Sequence, residues 1–199
     1  MSWGSLLERY VFEKVLPISY SWNADETILH PEIHAWAGSP DGMKFDEENE
    51  HTVTDMKCPG LKAFCQMVFP IYIGFNGTDA ITMLRNGFKH KDFEYKPYKE
   101  AETYYWQLVS NAVITGAKFA ELIVFCPYKS ELPAIREMAL QSEEKRFQWI
   151  NFAADSELSH LLDGGYFKNL NIIRFNVPQS DKDFLTEKVK EAEKLLITI

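Results

Sequence analysis

The fold is decided by one stretch, Gly38-Ser39-Pro40-Asp41-Gly42 followed by Thr52-Val53-Thr54-Asp55-Met56-Lys57-Cys58-Pro59. Its first part predicts the end of a short strand, residues 33–38, and then a turn that presents the carboxylate of Asp41. Residues 52–58 alternate along a second strand, so Asp55 and Lys57 point to the same side of the sheet. Neighbouring charges are costly to bury without partners, so we expect both side chains to face a polar cleft or water.

Composition predicts one globular domain spanning residues 1–199. The chain is 46% apolar and 25% charged, which is ordinary for a soluble protein. Its 199 residues are enough to bury a substantial core. The net charge of −8 argues against a protein that coats nucleic acid with a uniformly basic surface. A local basic groove remains compatible with it, because a metal site concentrates carboxylates.

Cysteine usage and the N-terminus predict a cytoplasmic location. Cys58, Cys65 and Cys126 are odd in number and match no zinc motif, so free thiols in a reducing cytosol are expected. The N-terminus has no signal-peptide pattern, and no apolar run approaches the ~20 residues of a membrane span. We therefore expect a soluble protein without a membrane partner.

The remaining patterns predict an α/β sandwich with a small mixed sheet. Helical periodicity, caps and apolar runs define the elements. Expected helices are 2–16, 61–70, 79–86, 100–115, 142–162 and 179–199, expected strands beyond the first two are 121–126 and 171–177, and expected loops include a turn at 23–26 and an acidic hairpin loop at 46–50.

One region is basic. Residues 88–99 contain five basic side chains with aromatic residues between them, namely Lys89, His90, Lys91, Lys96 and Lys99 with Phe93, Tyr95 and Tyr98. Such a mixture suits a nucleic-acid backbone and its exposed bases. It suits equally a surface loop whose lysines extend into water, and the sequence leaves both interpretations open.

Two carboxylates on paired strands can hold a divalent metal beside the amine of a lysine. Phosphodiester hydrolysis needs those parts. Pro40-Asp41 with Asp55-x-Lys57 resembles the PD-(D/E)XK nuclease signature. The flanking residues resemble the YqaJ-type viral recombinase family, to which the lambda exonucleases belong. Further motifs of that family are matched by Trp3-Gly4-Ser5-Leu6-Leu7-Glu8, by Tyr104-Tyr105-Trp106-Gln107 and by Thr115-Gly116.

The resemblance implies a restriction-endonuclease-like α/β core and a metal centre. Asp41, Asp55 and the Met56 carbonyl would bind Mg²⁺, with Mn²⁺ able to substitute, and Glu8 would hold a second metal or its water. Asp55 stands where the family more often has glutamate, which has a longer reach.

Two further side chains have expected roles in the same centre. Lys57 would orient or deprotonate the attacking water and offset negative charge in the transition state, and Gln107 would position Lys57 or the phosphate. Four cysteines usually hold an iron–sulfur cluster, and three scattered ones predict none. No nucleotide cofactor is expected.

The resemblance also implies an activity and partners. It favours a 5′-to-3′ exonuclease that degrades linear double-stranded DNA in phage-type recombination, inside a bacterial or phage-infected cell. Copies of the chain are expected to form a homo-oligomer, in the form of a trimeric ring. A single-strand annealing protein is the other expected partner. By charge alone Arg85, Lys89 and Lys91, with Tyr104, are candidates for DNA binding. An endonuclease of the same fold, or a catalytically inactive DNA-binding or assembly subunit, remains an alternative.

Overall fold

The structure is a computed structural model that describes residues 2–23, 26–45 and 50–197. Its main sheet has five strands in the spatial order β1-β4-β5-β8-β9, and two small hairpins stand apart from it. The described strands are β1 Tyr20–Trp22, β2 Ile28–Leu29, β3 Ala37–Gly38, β4 Gly42–Phe45, β5 His51–Lys57, β6 Phe88–Lys89, β7 Glu94–Tyr95, β8 Phe119–Phe125 and β9 Leu170–Asn176.

Helices cover both faces of this sheet. They are α1 Ser2–Tyr10, α2 Leu61–Tyr72, α3 Gly77–Asn86, α4 Ala101–Thr115, α5 Leu132–Gln141 and α6 Gln179–Ile197. The first helix continues as a π-helical turn, Val11–Val15. Within the part of the chain that the structure describes, no helix has the length and apolar character needed to span a bilayer.

The sheet is mixed. β5 runs antiparallel to β4 and parallel to β8, and β8 runs antiparallel to β9. A parallel pair needs a crossover, and α2, α3 and α4 form it between β5 and β8. The predicted mixed α/β sheet flanked by helices is therefore confirmed.

Two apolar cores lie on the two faces of β5 and β8. Alternation along each strand sends neighbouring side chains to opposite cores. The first core joins the crossover helices to the sheet through Val53, Phe64, Leu84, Leu108, Leu122 and Val124. The second joins α1 and α5 to the other face through Leu7, Met56, Ile123, Phe125, Ile135 and Phe147. The predicted strand 121–126 is confirmed as buried on both faces.

The first predicted strand is largely wrong. Only Ala37–Gly38 of residues 33–38 is extended, and it pairs with β2 in a separate hairpin. The antiparallel neighbour of β5 is β4, which follows Asp41 directly. β4 is short and of mixed polarity, so it lacked a clear strand pattern. The expected acidic loop falls mostly on 46–49, and the expected turn partly on 24–25, outside the described residues.

The predicted helix 142–162 is also wrong. α5 lies before it, and residues 145–151 and 155–157 form short 3₁₀ turns instead. Phe147, Ile150 and Leu158 are buried all the same. Tertiary contacts bury these side chains from an irregular chain, which an apolar spacing alone cannot distinguish from a helix.

Other helix boundaries follow the predictions closely. Gly87 and Gly116 end α3 and α4 with φ of 74° and 72°, values that favour glycine. α2 continues past Pro70, which lacks an N–H to bind the carbonyl of Gln66. The hydroxyl of Tyr95 donates to that carbonyl instead, at 2.9 Å. The last predicted helical residues, 198–199, lie outside the described chain.

A buried charge network ties three strands together. Glu121 on β8 is 1% exposed, and Lys44 Nζ of β4 lies 2.6 Å from its Oε1. The Tyr20 hydroxyl of β1 donates to Oε2 at 2.7 Å and accepts from Lys44 Nζ at 2.7 Å. Arg174 of β9 lies farther away, at 3.9 Å. The network satisfies a carboxylate that burial would otherwise penalise.

Candidate active site

Asp41 is held at the point where the β4–β5 ladder ends. Gly42, the first residue of β4, pairs with Thr54, and this is the last pair of the ladder on the Asp41 side. Beyond it the backbone N–H of Met56 donates to Asp41 Oδ2 at 2.6 Å. A Cβ on Gly42 would lie 2.5 Å from the ring of Phe12 and 2.8 Å from the carbonyl oxygen of Ser21. The close packing at Gly42 therefore requires glycine and places Asp41 beside β5.

Asp55 and Lys57 form an ion pair on the crossover side of β5. Lys57 Nζ donates to Asp55 Oδ1 at 2.9 Å and lies 2.8 Å from Oδ2. The Asp55 side chain is almost fully buried, and the Lys57 ammonium lies beside both of its oxygens. The prediction that both charges share one side of the sheet is confirmed, with Asp55 more buried than a water-facing carboxylate.

The two groups shift each other's protonation. Burial raises the pKa of Asp55, Lys57 opposes the rise and the nearby Asp41 adds to it, so that the resulting pKa is about 7. Burial lowers the pKa of Lys57, but the carboxylates of Asp55 and Asp41 outweigh it and leave that pKa above its ordinary value. The pair therefore presents a cationic lysine beside a carboxyl that titrates near neutrality.

A cleft of about 720 Å³ opens onto this pair. Asp41, Asp55 and Lys57 line one wall, and α4 forms the other with Gln107 exposed in it. The aromatic ring of Tyr104 supports the lysine, whose Nζ lies 4.7 Å from the ring centroid. A cation over an aromatic face is stabilised without losing its charge. The arrangement can bind an anionic group between an amine and an amide.

Glu8 lies in an adjoining cleft rather than in this one. Its Oε1 accepts a hydrogen bond from Trp22 Nε1 at 3.1 Å. The adjoining cleft has a volume of about 290 Å³ and also contains Arg9 and Arg146. Asp41 borders both clefts and so connects Glu8 with the Asp55–Lys57 pair.

The basic residues singled out by charge do not line these clefts. Arg85 donates to Glu102 through Nε at 2.7 Å and Nη2 at 3.0 Å, and its guanidinium lies 3.7 Å from the ring centroid of Tyr105. Lys89 and Lys91 are exposed on the β6–β7 hairpin. The structure thus brings Asp41, Asp55, Lys57 and Gln107 together and leaves these three cations outside.

The carboxylates of Asp41 and Asp55 form a pair of oxygen ligands for a hard cation. Among the described residues no three His, Cys, Asp or Glu side chains are grouped to hold a metal. Asp41 and Asp55 nevertheless are neighbours, and both present carboxylate oxygens beside the same Lys57 amine. Two carboxylates with retained waters fit Mg²⁺, which prefers oxygen ligands and keeps part of its hydration shell.

Sequence reasoning missed most of the α4 wall. Besides Gln107, the cleft contains Thr103, Trp106, Ser110 and Asn111. Thr103, Gln107 and Asn111 are spaced four residues apart and therefore share one face of the helix. This polar i, i+4 row was the available signal. Arg146 of the adjoining cleft had no such signal, because it lies in an irregular segment.

Comparisons with known proteins give little beyond this geometry. No protein-family model and no curated protein matches the chain. Among solved structures, the chain is similar to an alkaline exonuclease, LHK-Exo, from Laribacter hongkongensis, with 15% identity and a TM-score of 0.42 over 100% of this chain and 72% of that one. LHK-Exo in complex with dAMP aligns with 17% identity and a TM-score of 0.39, over 98% and 71% of the two chains. With similarity this low, we base the function on the residues of the chain itself.

Proposed function

We propose that this chain is a metal-dependent deoxyribonuclease that hydrolyses phosphodiester bonds. One observation carries the proposal: a buried carboxylate and a lysine on one strand face an open cleft, with a second carboxylate fixed beside them by the Met56 amide. These are the groups that the PD-(D/E)XK signature contributes, and they lie together with Gln107 from a separate helix.

The chain's own residues support a hydrolytic step. Hydrolysis joins a water oxygen to phosphorus and breaks the bond from phosphorus to the 3′ oxygen, which leaves as a hydroxyl. Lys57 would orient the water and offset the charge on the phosphoryl oxygens, since an amine aimed at developing charge stabilises the transition state. Gln107 would hold the phosphate against Lys57, and the Tyr104 ring would fix the lysine's direction.

Asp41 and Asp55 would hold Mg²⁺ or Mn²⁺, with the Met56 carbonyl as a further ligand. When bound, such a cation polarises a phosphoryl oxygen and stabilises the leaving oxygen. Glu8 would act from the adjoining cleft, on a second cation or its water. A cation would also replace part of the positive charge that Lys57 now supplies to Asp55 and free that amine for the phosphate.

The finer proposals rest on the motifs of the sequence. A 5′-to-3′ exonuclease acting on linear duplex DNA, in a homotrimeric ring with a single-strand annealing protein as partner, fits the YqaJ-type motifs. Lys89 and Lys91 remain candidates for DNA binding, and Arg85 is a candidate only if its pair with Glu102 opens. An endonuclease, or an inactive DNA-binding subunit, would use the same clefts.

The first experiment measures nucleotide release from labelled duplex DNA with and without Mg²⁺. We expect Lys57→Ala to reduce the rate by about 10² to 10³, the usual loss when one charge-stabilising donor is removed. Lys168→Ala is the matched control, because Lys168 is exposed and away from these clefts. Activity that survives Lys57→Ala unchanged would refute the assigned site.

The second experiment offers linear, nicked and covalently closed DNA in parallel. An exonuclease degrades the linear form, acts on the nicked form only where a strand end is accessible, and leaves the closed circle intact. Cleavage of the closed circle would replace the exonuclease by the endonuclease. Binding without cleavage of any form would leave the inactive DNA-binding subunit.

A further inference from the structure

A third cleft begins where β5 leads into α2. It has a volume of about 710 Å³ and lies between the first turns of α2 and the segment that joins β7 to α4. Three lysines, Lys62, Lys96 and Lys99, line it, and we call it the lysine cleft. Neither Arg85, Lys89 nor Lys91 contributes to it.

The lysine cleft is cationic although the chain as a whole is acidic. Glu100 is the one carboxylate among its lining residues, and Lys99 Nζ lies 3.8 Å from it with an 89% exposed side chain. Lys62 and Lys96 are exposed. Within the described ranges 2–23, 26–45 and 50–197, neither of them forms a hydrogen bond or an ion pair through its side chain. Their charges are therefore available to a ligand.

Two tyrosine rings connect the lysine cleft to the Asp55–Lys57 pair. Tyr98 lines the lysine cleft, and its ring centroid lies 6.2 Å from that of Tyr104. Tyr104 in turn lies beneath Lys57 Nζ. The backbone N–H of Tyr98 donates to the carbonyl of Leu84 at 2.9 Å, which anchors the segment to α3. The cationic surface is thus fixed beside the catalytic lysine.

We propose that the lysine cleft binds backbone phosphates of DNA next to the scissile bond. The proposal rests on the proposed function, because the polyanion that would extend from Lys57 is the substrate strand. Lysine ammonium groups bind phosphates as point charges, and aromatic rings between cations suit sugars and bases. Among the chain's cations it assigns this role to Lys62, Lys96 and Lys99.

The test measures binding of a fluorescently labelled linear duplex in EDTA, by anisotropy, over a series of salt concentrations. We expect Lys62→Gln/Lys96→Gln to lower the slope of log affinity against log salt by about two, since each phosphate contact contributes ~0.9. At ~0.1 M salt the affinity should fall at least about tenfold. Lys188→Gln/Lys190→Gln on α6 is the matched control, because it removes the same charge outside the lysine cleft.

A slope that stays unchanged, or that falls equally in the control, would overturn the proposal, as would an absence of DNA binding by the parent protein. Lys62→Glu/Lys96→Glu should weaken binding further, and thermal unfolding of each variant verifies folding. Cleavage assays in Mg²⁺ separate the two hypotheses. Binding that follows the prediction in a protein without nuclease activity would refute the function alone, whereas cleavage with an unchanged salt slope would refute the lysine cleft alone.

Discussion

At the residue scale, Asp55 is the side chain of the site whose burial disfavours its charged form. The carboxyl is buried beside Asp41, and its pKa is about 7 against an ordinary 3.8. The folded protein therefore binds a proton that the unfolded chain releases between these values, and the free energy of unfolding falls as the pH rises through them. A bound cation or the Lys57 amine offsets part of this cost.

Asp55→Asn should remove that pH dependence. In metal-free buffer, the free energy of unfolding of the variant relative to the parent should increase by about 4 kcal/mol between pH 4 and pH 8, because only the parent must ionise a buried carboxyl and each pKa unit corresponds to about 1.4 kcal/mol. Denaturant unfolding at both pH values measures the change. Asp183→Asn, at an exposed aspartate, should leave the pH dependence as in the parent. Parallel pH profiles for Asp55→Asn and the parent would contradict the expectation.

The same residue shows how far a sequence pattern reaches. Strand alternation places Asp55 and Lys57 on one side, and they form an ion pair there. The hydrogen bond from the Met56 amide to Asp41 has no counterpart in the pattern, because it depends on where the β4–β5 ladder ends.

At the element scale, the start of β4 sets the position of Asp41. Gly42→Ala should destabilise the protein by about 1–3 kcal/mol, because its methyl group would meet the Phe12 ring and a backbone carbonyl. Cleavage activity should fall as well, as Asp41 is displaced. Chemical denaturation and the nucleotide-release assay measure both effects. Gly4→Ala is the control, since its Cβ would meet its nearest atom at 3.9 Å. Equal stability of the two variants would refute this packing.

The charge network between strands gives a second prediction at this scale. Lys44→Met removes the closest cation from buried Glu121 and should cost about 3 kcal/mol, since it leaves that carboxylate with the more distant Arg174 as its cation and breaking a buried pair is strongly destabilising. Adding Glu121→Gln should recover part of the loss, because the buried charge that has lost its closest cation is then gone. A double-mutant cycle from thermal unfolding measures the coupling. Strictly additive effects would show that the pair contributes nothing.

At the scale of the whole molecule, the two cores share the strands β5 and β8. Val53 of β5 and Leu122 of β8 pack into one core, and Met56 and Ile123 of the same two strands pack into the other. If either core opened, β5 and β8 would lose the packing on one of their two faces. We therefore expect residues on both faces to unfold together as one cooperative unit.

Phe64→Ala in the first core and Phe147→Ala in the second test this expectation. Both phenylalanines are buried, so each variant should lose about 3–5 kcal/mol. Circular dichroism and tryptophan fluorescence should show one coincident transition in both variants. Two separated transitions, each shifted by only one substitution, would mean that the two faces are independent units.

By itself, the sequence determined the elements whose signals are local. The α4 helix with its glycine end, the β5 alternation and the continuous apolar run of β8 all follow from period and composition. The same local signals gave wrong predictions in two places. At residues 142–162 apolar side chains at helical spacing are buried by tertiary contacts of a non-α-helical segment, and β4 is too short to show a strand period.

Only the tertiary structure decided which side chains meet. Gln107 lines the same cleft as Lys57 because α4 packs on β5, and Lys62 lines the same cleft as Lys96 because α2 begins beside the segment that precedes α4. Contacts between residues distant in sequence depend on packing angles and strand register, which no local pattern encodes. The motifs therefore predicted the chemical groups, and the packing of the crossover helices on the sheet placed them around common clefts.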